Sequence, residues 1–280
     1  MKTVIIDTGG GLRGIYGAGV FDRCLELGTE FSQCIGVSAG SANSASFLAG
    51  QHGRNYLFYT EYALRKEYMG ARNFLTKHSY LDLDYIYGVL SNSDGENPLN
   101  YDALMNNPSE FTVVATDAAT GNAVYFNKSD VSRDNYGILK ASCCIPAVCK
   151  AYLFNGRSYY DGGVADAIPV KYALDGGADK IVLVLTKPTD AEMSFSKEKL
   201  CSVLLKTKYP NAAATLLKRE ENYRNSLSLA KELEKHGKLL IVAPSDIGHL
   251  KTLTKNTADL TALYEQGKKD AEKIREFVSQ

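Results

Sequence analysis

The chain has 280 residues, of which 45% are hydrophobic, so it is long enough to bury a large core and short enough to form one α/β domain. Its 32 Lys and Arg residues equal its 32 Asp and Glu residues, so no bulk charge attracts nucleic acid, which is not expected as a partner. The N-terminal apolar run is too short for a signal peptide or a membrane span, so a cytoplasmic location is expected, at most with transient contact to a membrane surface.

Short apolar runs rich in β-branched residues alternate with stretches of helical periodicity. This alternation predicts an α/β fold with a mainly parallel central sheet and helices on both faces. One domain is expected over residues 1–280, with residues 176–280 adding a last strand and helices to it. The predicted strands are Val4–Asp7, Cys34–Val37, Phe111–Ala115, Ile181–Leu185 and Leu239–Ala243.

A glycine-rich loop follows the first strand and precedes a helix predicted over residues 15–27. A dinucleotide site with the pattern G-x-G-x-x-G needs an acidic residue at the end of the second strand. That strand ends in Val37-Ser38, and Glu26 and Glu30 precede it. We therefore interpret the loop as backbone N–H groups that bind an oxyanion, with Arg13 ordering the loop, assisting with a phosphate head group, or exposed. The loop consists of Gly9, Gly10, Gly11, Leu12, Arg13 and Gly14.

A G-x-S-x-G motif lies where the second strand ends and a stretch of small residues begins a helix. A serine on such a strand-to-helix turn needs a strained backbone, and glycines two residues away on either side leave room for it. The helix N-terminus also favours developing negative charge. The alternative is an ordinary glycine-rich turn. The motif consists of Gly36, Val37, Ser38, Ala39 and Gly40.

The middle of the chain contains a tyrosine-rich region and a hairpin signal. Two interpretations of the tyrosines at 55–69 and 80–90 stay open, a lipid-facing lid or core packing. Residues 91–98 are expected to form a surface loop. Thr120-Gly121 separates two apolar runs within 110–127, which predicts an antiparallel hairpin.

Two residues compete as the base for Ser38. His249 has the order expected of an α/β-hydrolase triad, but there the oxyanion loop is separated from the nucleophile by intervening elements, whereas here one helix joins them. Asp161 precedes Gly162 and Gly163 after an aromatic strand-like stretch, although Asp-Gly-Gly is also a common turn.

The remaining features are structural. Amphipathic surface helices are predicted at 210–236 and 259–279. The cysteines have no metal-ligand spacing and are expected to be reduced and mostly buried, so neither a metal nor a disulfide is expected. They are Cys24, Cys34, Cys143, Cys144, Cys149 and Cys201.

The order GGGLRG, GVSAG and DGG resembles the patatin-like phospholipase family, with the motif core at about 1–175. Such a resemblance implies a three-layer α/β/α fold and a lipid acyl hydrolase of phospholipase or lysophospholipase A type that needs no metal or cofactor. It implies a dyad of Ser38 and Asp161, with the amides of Gly10 and Gly11 as oxyanion donors. Further matching segments are Ala115-Thr116-Asp117, Thr120-Gly121, Ile145-Pro146 and Asp161–Val170.

Three alternatives stay open. A carboxylesterase or thioesterase would use the same dyad on small esters. A non-catalytic regulatory module would keep the fold, but one of its motifs should be damaged, and all three are intact here. An oxidoreductase that binds a dinucleotide is the third. The lipid head group, the acyl position and length, and the oligomeric state stay open as well.

Overall fold

We describe residues 1–191, 196–248 and 250–280 of the computed structural model, with the backbone alone at 196 and 197. They form a sheet in the order β5-β6-β3-β2-β1-β7-β8, with β4 paired to β3. The strands are β1 Thr3–Asp7, β2 Gln33–Val37, β3 Glu110–Asp117, β4 Ala123–Asn127, β5 Tyr152–Phe154, β6 Arg157–Asp161, β7 Lys180–Val184 and β8 Leu239–Val242.

The sheet is mixed, with a parallel centre. Strands β3, β2, β1, β7 and β8 run parallel, so their carboxyl ends share one edge, where α/β folds place their sites. The hairpin of β3 and β4 is antiparallel, as the sequence predicts, and so are the pairings of β6 with β3 and of β5 with β6. All five predicted strands are confirmed within a residue or two at their ends.

Helices cover both faces of the sheet, which confirms the predicted fold class. Side chains of β1 alternate between two cores, with Ile5 on one face and Val4 and Ile6 on the other. The helices are α1 Ile15–Glu26, α2 Ala39–Leu48, α3 Arg54–Thr60, α4 Ala71–Lys77, α5 Tyr101–Asn106, α6 Gly137–Ser142, α7 Val170–Asp175, α8 Ser196–Leu205, α9 Pro210–Lys235, α10 Thr257–Asp270 and α11 Glu272–Ser279.

The C-terminal segment is built into this architecture. Strand β8 pairs with β7, and α10 packs against α1. A methyl group on Gly19 would lie 2.1 Å from the Tyr264 carbonyl oxygen, and one on Gly267 would lie 2.2 Å from that of Tyr16. These two glycines therefore allow the backbones of α1 and α10 to approach closely.

The single helix predicted at 259–279 is wrong. The structure divides this stretch into α10 and α11, with a turn at Ala271. Ala271 is completely buried, and the N–H of Ile274 bonds to its carbonyl. The side chain of Ile274 lies in the core, so this stretch is not only a surface helix.

The tyrosines of the proposed lid pack mainly in the core. Tyr59, Tyr62, Tyr68 and Tyr87 are buried, and the other tyrosines at 55–69 and 80–90 are half-buried. Of the two interpretations of these rings, the structure supports core packing. In the part of the chain that the structure describes, no helix is long and apolar enough to cross a membrane.

Candidate active site

Ser38 occupies a strained turn between β2 and α2. Its φ is 54° and its ψ is −130°, a region that residues other than glycine rarely adopt. Such strain persists only where the surrounding structure enforces it, and it concentrates at functional sites. The strand-turn-helix context required of a nucleophile elbow is therefore present.

Hydrogen bonds fix the backbone of this turn from two sides. The N–H of Ser38 donates to Oγ of Ser142 at 2.8 Å, and that hydroxyl donates to the Val114 carbonyl at 2.6 Å. The Ser41 hydroxyl donates to the Ser38 carbonyl at 2.6 Å. These hydrogen bonds hold the main chain of the turn in place, and none of them uses the Ser38 hydroxyl.

The glycines around the turn are required by close packing. A methyl group on Gly9 would lie 2.4 Å from the Val37 carbonyl oxygen, and one on Gly40 would lie 2.2 Å from that of Asp7. One on Gly36 would lie 2.3 Å from Cα of Ser41. The glycine loop and the serine turn are therefore in direct contact through their backbones.

The rest of the glycine loop has a backbone conformation that favours glycine, and distant segments hold it in place. Gly10 and Gly11 have φ of 129° and 62°. The Thr186 hydroxyl donates to the Gly9 carbonyl, and the N–H of Leu12 donates to the Thr252 carbonyl at 2.8 Å. None of the hydrogen bonds found among the described residues uses the N–H of Gly10 or Gly11. These amides are therefore available to a ligand.

Arg13 and Gly14, the last residues of the loop, are buried and pack against neighbouring segments. Arg13 is buried, and its guanidinium donates to the Thr252 hydroxyl at 3.0 Å, which excludes an exposed arginine. Its Nε is buried without a partner, and burial lowers its pKa. Gly14 packs against Ala39, because a methyl group there would lie 2.9 Å from that residue's Cβ.

Asp7 forms a buried polar network beneath the loop. Its carboxylate accepts hydrogen bonds from the Gly9 N–H at 2.9 Å and from Nδ2 of Asn43 at 2.8 Å. Asn43 also donates to the Gly14 carbonyl at 2.8 Å. Burial raises the pKa of Asp7 to about 6, although both hydrogen bonds lower it. Asp7 and Asn43 thereby join the strand, the loop and α2.

Asp161 ends β6 beside the serine turn. Its carboxylate is close enough to the Ser38 hydroxyl for that group to lower its pKa, and it accepts the Gly163 N–H at 2.8 Å. Its carbonyl accepts the Thr116 hydroxyl at 2.8 Å. A methyl group on Gly162 would lie 2.2 Å from the Val114 carbonyl oxygen, so this glycine allows the loop to pass close to β3.

The environment of Asp161 makes it a stronger base than an ordinary aspartate. Burial is the largest effect and raises its pKa from 3.8, while the Ser38 and Gly163 hydrogen bonds and the Arg219 charge lower it. A partly desolvated carboxylate beside a serine hydroxyl has the arrangement of a general base and its nucleophile.

Three cations lie close to one another, and the charge of one of them, Arg219, acts on Asp161. Arg219 donates to the Gly163 carbonyl at 2.6 Å and pairs with Glu198 at 2.6 Å. Lys187 follows Thr186, and its pKa is lowered first by burial and then by the nearby charges of Arg13 and Arg219. Two carboxylates, those of Glu198 and Asp161, lie among these three cations, so positive charges exceed negative charges by one and favour an anionic group on a ligand.

Of the histidines, His249 lies outside the described residues, so the structure does not test its role. His52 pairs with Glu26 and His236 with Glu232, both at the surface. Glu26 also pairs with Lys268, so its carboxylate is occupied. Among the described residues, no group of three or more His, Cys, Asp or Glu side chains has the arrangement to hold a metal, and no disulfide joins any of the six cysteines.

Several residues that position the site lie outside its three motifs, which are the glycine loop, G-x-S-x-G and Asp-Gly-Gly. They contact it through tertiary hydrogen bonds, so spacing along the chain carries no signal for them. Among them, only Thr116 lies in a segment that matches the family pattern. Arg219 lies in α9, which the sequence predicts to be a surface helix with its charged residues in solvent. These residues are Asn43, Thr116, Ser142, Thr186, Arg219 and Thr252.

Comparison with known proteins identifies the family. The model described as patatin-like phospholipase matches residues 8–174, which contain the glycine loop, Ser38 and Asp161. The chain belongs to the patatin-like phospholipase family. This family is one of lipid acyl hydrolases. A second model, described as a domain of unknown function (DUF6363), matches residues 209–279, which hold α9, β8, α10 and α11.

Two similar curated proteins are uncharacterized. YjjU of Escherichia coli K12 is 28% identical over 194 residues, 67% of this chain and 53% of that protein. Rv1063c of Mycobacterium tuberculosis, an uncharacterized NTE family protein, is 25% identical over 188 residues, 65% of this chain and 48% of that protein. The chain spans about half the length of the curated relatives it matches.

A solved structure shares the fold. VipD from Legionella pneumophila superposes with a TM-score of 0.50 at 11% identity, over 98% of this chain and 66% of that chain. At this identity the likeness shows the architecture, a mixed sheet with helices on both sides, and no activity.

Proposed function

We propose that this patatin-like phospholipase family member is a serine-dependent acyl ester hydrolase of phospholipase or lysophospholipase A type. The observation that carries the proposal is the strained Ser38, whose hydroxyl faces the buried carboxylate of Asp161. A silent regulatory module has no need to keep this strain, which costs of order 1–3 kcal/mol.

In the proposed reaction, Oγ of Ser38 attacks the ester carbonyl carbon while its proton moves to the Asp161 carboxylate. The N–H groups of Gly10 and Gly11 stabilise the oxyanion. Asp161 then gives the proton to the leaving alcohol oxygen as the ester bond breaks, which leaves an acyl-serine. Water attacks this acyl group while one of its protons passes to Asp161; the acyl bond to Oγ of Ser38 then breaks, Asp161 returns the proton to that oxygen, and the fatty acid leaves.

The charges near the dyad favour a substrate with a phosphate group. Arg13, Lys187 and Arg219 are close enough for their charges to influence one another or a shared neighbour, Tyr223. A neutral short-chain ester gains nothing from them, whereas a phosphodiester group gains charge-assisted hydrogen bonds. A phospholipid or lysophospholipid is therefore proposed ahead of a small ester or thioester.

Substitution of the two dyad residues tests the proposal. Ser38→Ala and Asp161→Asn should each lower p-nitrophenyl butyrate hydrolysis by about 10⁴-fold or more, because each removes a part of one catalytic unit. Two matched controls should stay active. Ser44→Ala changes a buried, unpartnered hydroxyl in α2, the helix that follows Ser38, and Asp166→Asn changes a carboxylate that accepts the Tyr125 hydroxyl. Full activity of either dyad variant would contradict the dyad.

A further inference from the structure

The outer surface of α8 is apolar although it faces solvent. Leu200, Val203 and Leu204 are 67%, 69% and 64% exposed, and their i, i+3, i+4 spacing places them on one side of the helix. We call these three residues the α8 apolar face. The opposite side packs on α9, where the Ser202 hydroxyl donates to the Ala213 carbonyl at 3.1 Å.

Polar contacts connect α8 to the loop that holds Asp161. Glu198, in the first turn of α8, pairs with Arg219 at 2.6 Å, and Arg219 donates to the Gly163 carbonyl at 2.6 Å. One ion pair and one hydrogen bond therefore connect α8 to the residue that holds the Asp161 carboxylate. The first turn of α8 is therefore two contacts away from the loop that holds the Asp161 carboxylate.

The charge around the face is positive. Residues 199–218 contain no Asp or Glu. The lysines of this segment are all exposed, whereas the charges of the whole chain balance at 32 and 32. Basic residues around an apolar helical stripe are the pattern of a helix that lies on an anionic membrane surface. The lysines are Lys199, Lys206, Lys208 and Lys218.

We propose that the α8 apolar face docks this protein on an anionic phospholipid bilayer. The inference rests on the proposed lipid substrate and names the surface through which that substrate is reached. A second copy of the chain fits less well, because symmetric pairing of this face would bring its lysines against their own copies, and three side chains cover far less than the roughly 1,000 Å² of a specific interface.

Vesicle co-sedimentation tests the proposal, with Ser38→Ala as background so that no lipid is consumed. Binding should be stronger to equal parts phosphatidylcholine and phosphatidylglycerol than to phosphatidylcholine alone. The triple change Leu200→Asn, Val203→Asn and Leu204→Asn should lower binding to the mixed vesicles about tenfold or more. Leu200→Met, Val203→Ile and Leu204→Met, the matched control, should retain it.

A second variant tests the same surface without changing its apolar residues, so the test does not depend on the folding of the asparagine triple. Lys206→Gln with Lys208→Gln should weaken binding to the mixed vesicles about 30-fold, because each lysine near an anionic surface contributes about a factor of five. Equal binding by the parent, the asparagine triple and the lysine pair would overturn the docking surface. So would a concentration-dependent dimer that the triple abolishes while vesicle binding stays the same.

The failure of this inference is distinguishable from failure of the proposed function. With Ser38 intact, the asparagine triple should hydrolyse soluble p-nitrophenyl butyrate at the parent rate and hydrolyse mixed vesicles about tenfold more slowly. Absence of ester hydrolysis by the parent would refute the hydrolase and leave the binding comparison standing. Equal vesicle hydrolysis by parent and triple would refute docking and leave the hydrolase standing.

Discussion

The conformation of the glycine loop depends on single residues that lack a side chain. Gly10 has φ of 129°, and a methyl group there would lie 2.5 Å from Oγ1 of Thr186. Thr186 in turn donates to the Gly9 carbonyl. The conformation of the loop therefore depends on the absence of a side chain at position 10.

Gly10→Ala is predicted to lower kcat about 10²–10³-fold, because a displaced loop loses an oxyanion donor. Hydrolysis of p-nitrophenyl butyrate and thermal unfolding would be measured together. Gly177→Ala is the control, since Gly177 has φ of 80° and open space around it, so an alanine there incurs backbone strain without touching the site. Equal kcat for the two variants would argue against the role of the loop.

The pH dependence of activity should follow Asp161. Catalysis needs its ionised form, and burial raises its pKa from 3.8, so kcat/KM should fall as pH drops through that raised pKa. Arg219 lowers this pKa, so Arg219→Gln should move the acid limb to higher pH. Profiles from about pH 4 to about pH 8 would show the shift.

Arg224→Gln is the control for the pH profiles, because Arg224 lies on the same helix and pairs with Glu220 at the surface. It should leave the acid limb where the parent has it. An acid limb unmoved by Arg219→Gln would mean that Asp161 is not the titrating group or does not sense Arg219.

At the scale of elements, the close contact of α1 with α10 ties the C-terminal segment to the glycine loop, since α1 continues directly from that loop. Gly19→Ala is predicted to lower the free energy of unfolding by about 1–3 kcal/mol, because its methyl group would lie 2.1 Å from a backbone carbonyl. Gly176→Ala, where the nearest atoms are at 3.4 Å, is the control. Urea denaturation measures both, and equal midpoints would contradict the contact.

Sequence patterns predict those elements whose signals are local. The five strands and the long helix α9 follow from runs of apolar residues and from helical periodicity, and the elbow follows from Gly36 and Gly40 around Ser38. The break between α10 and α11 at Ala271 has no local sequence signal, because alanine favours a helix and Ala271 itself has helical φ and ψ. The tyrosine-rich segments also lack a decisive local signal, because a tyrosine side chain suits a membrane interface as well as a protein core.

At the scale of the whole molecule, the site is assembled from segments far apart in the chain. The loop after β1, the turn after β2 and the end of β6 meet at one edge of the sheet, while Thr252 and Arg219 hold them from the C-terminal third. The order of the motifs predicts the first three segments. The last two are known only from the fold, because no spacing in the sequence relates them to Ser38.

The claim that Ser38 is an activated nucleophile is tested most directly by a fluorophosphonate probe followed by mass spectrometry of the digested protein. We predict one adduct, on the peptide that contains Ser38, with labelling lost in Ser38→Ala and strongly slowed in Asp161→Asn because the base is absent. An adduct on another residue, or labelling of Ser38→Ala at the parent rate, would contradict the account.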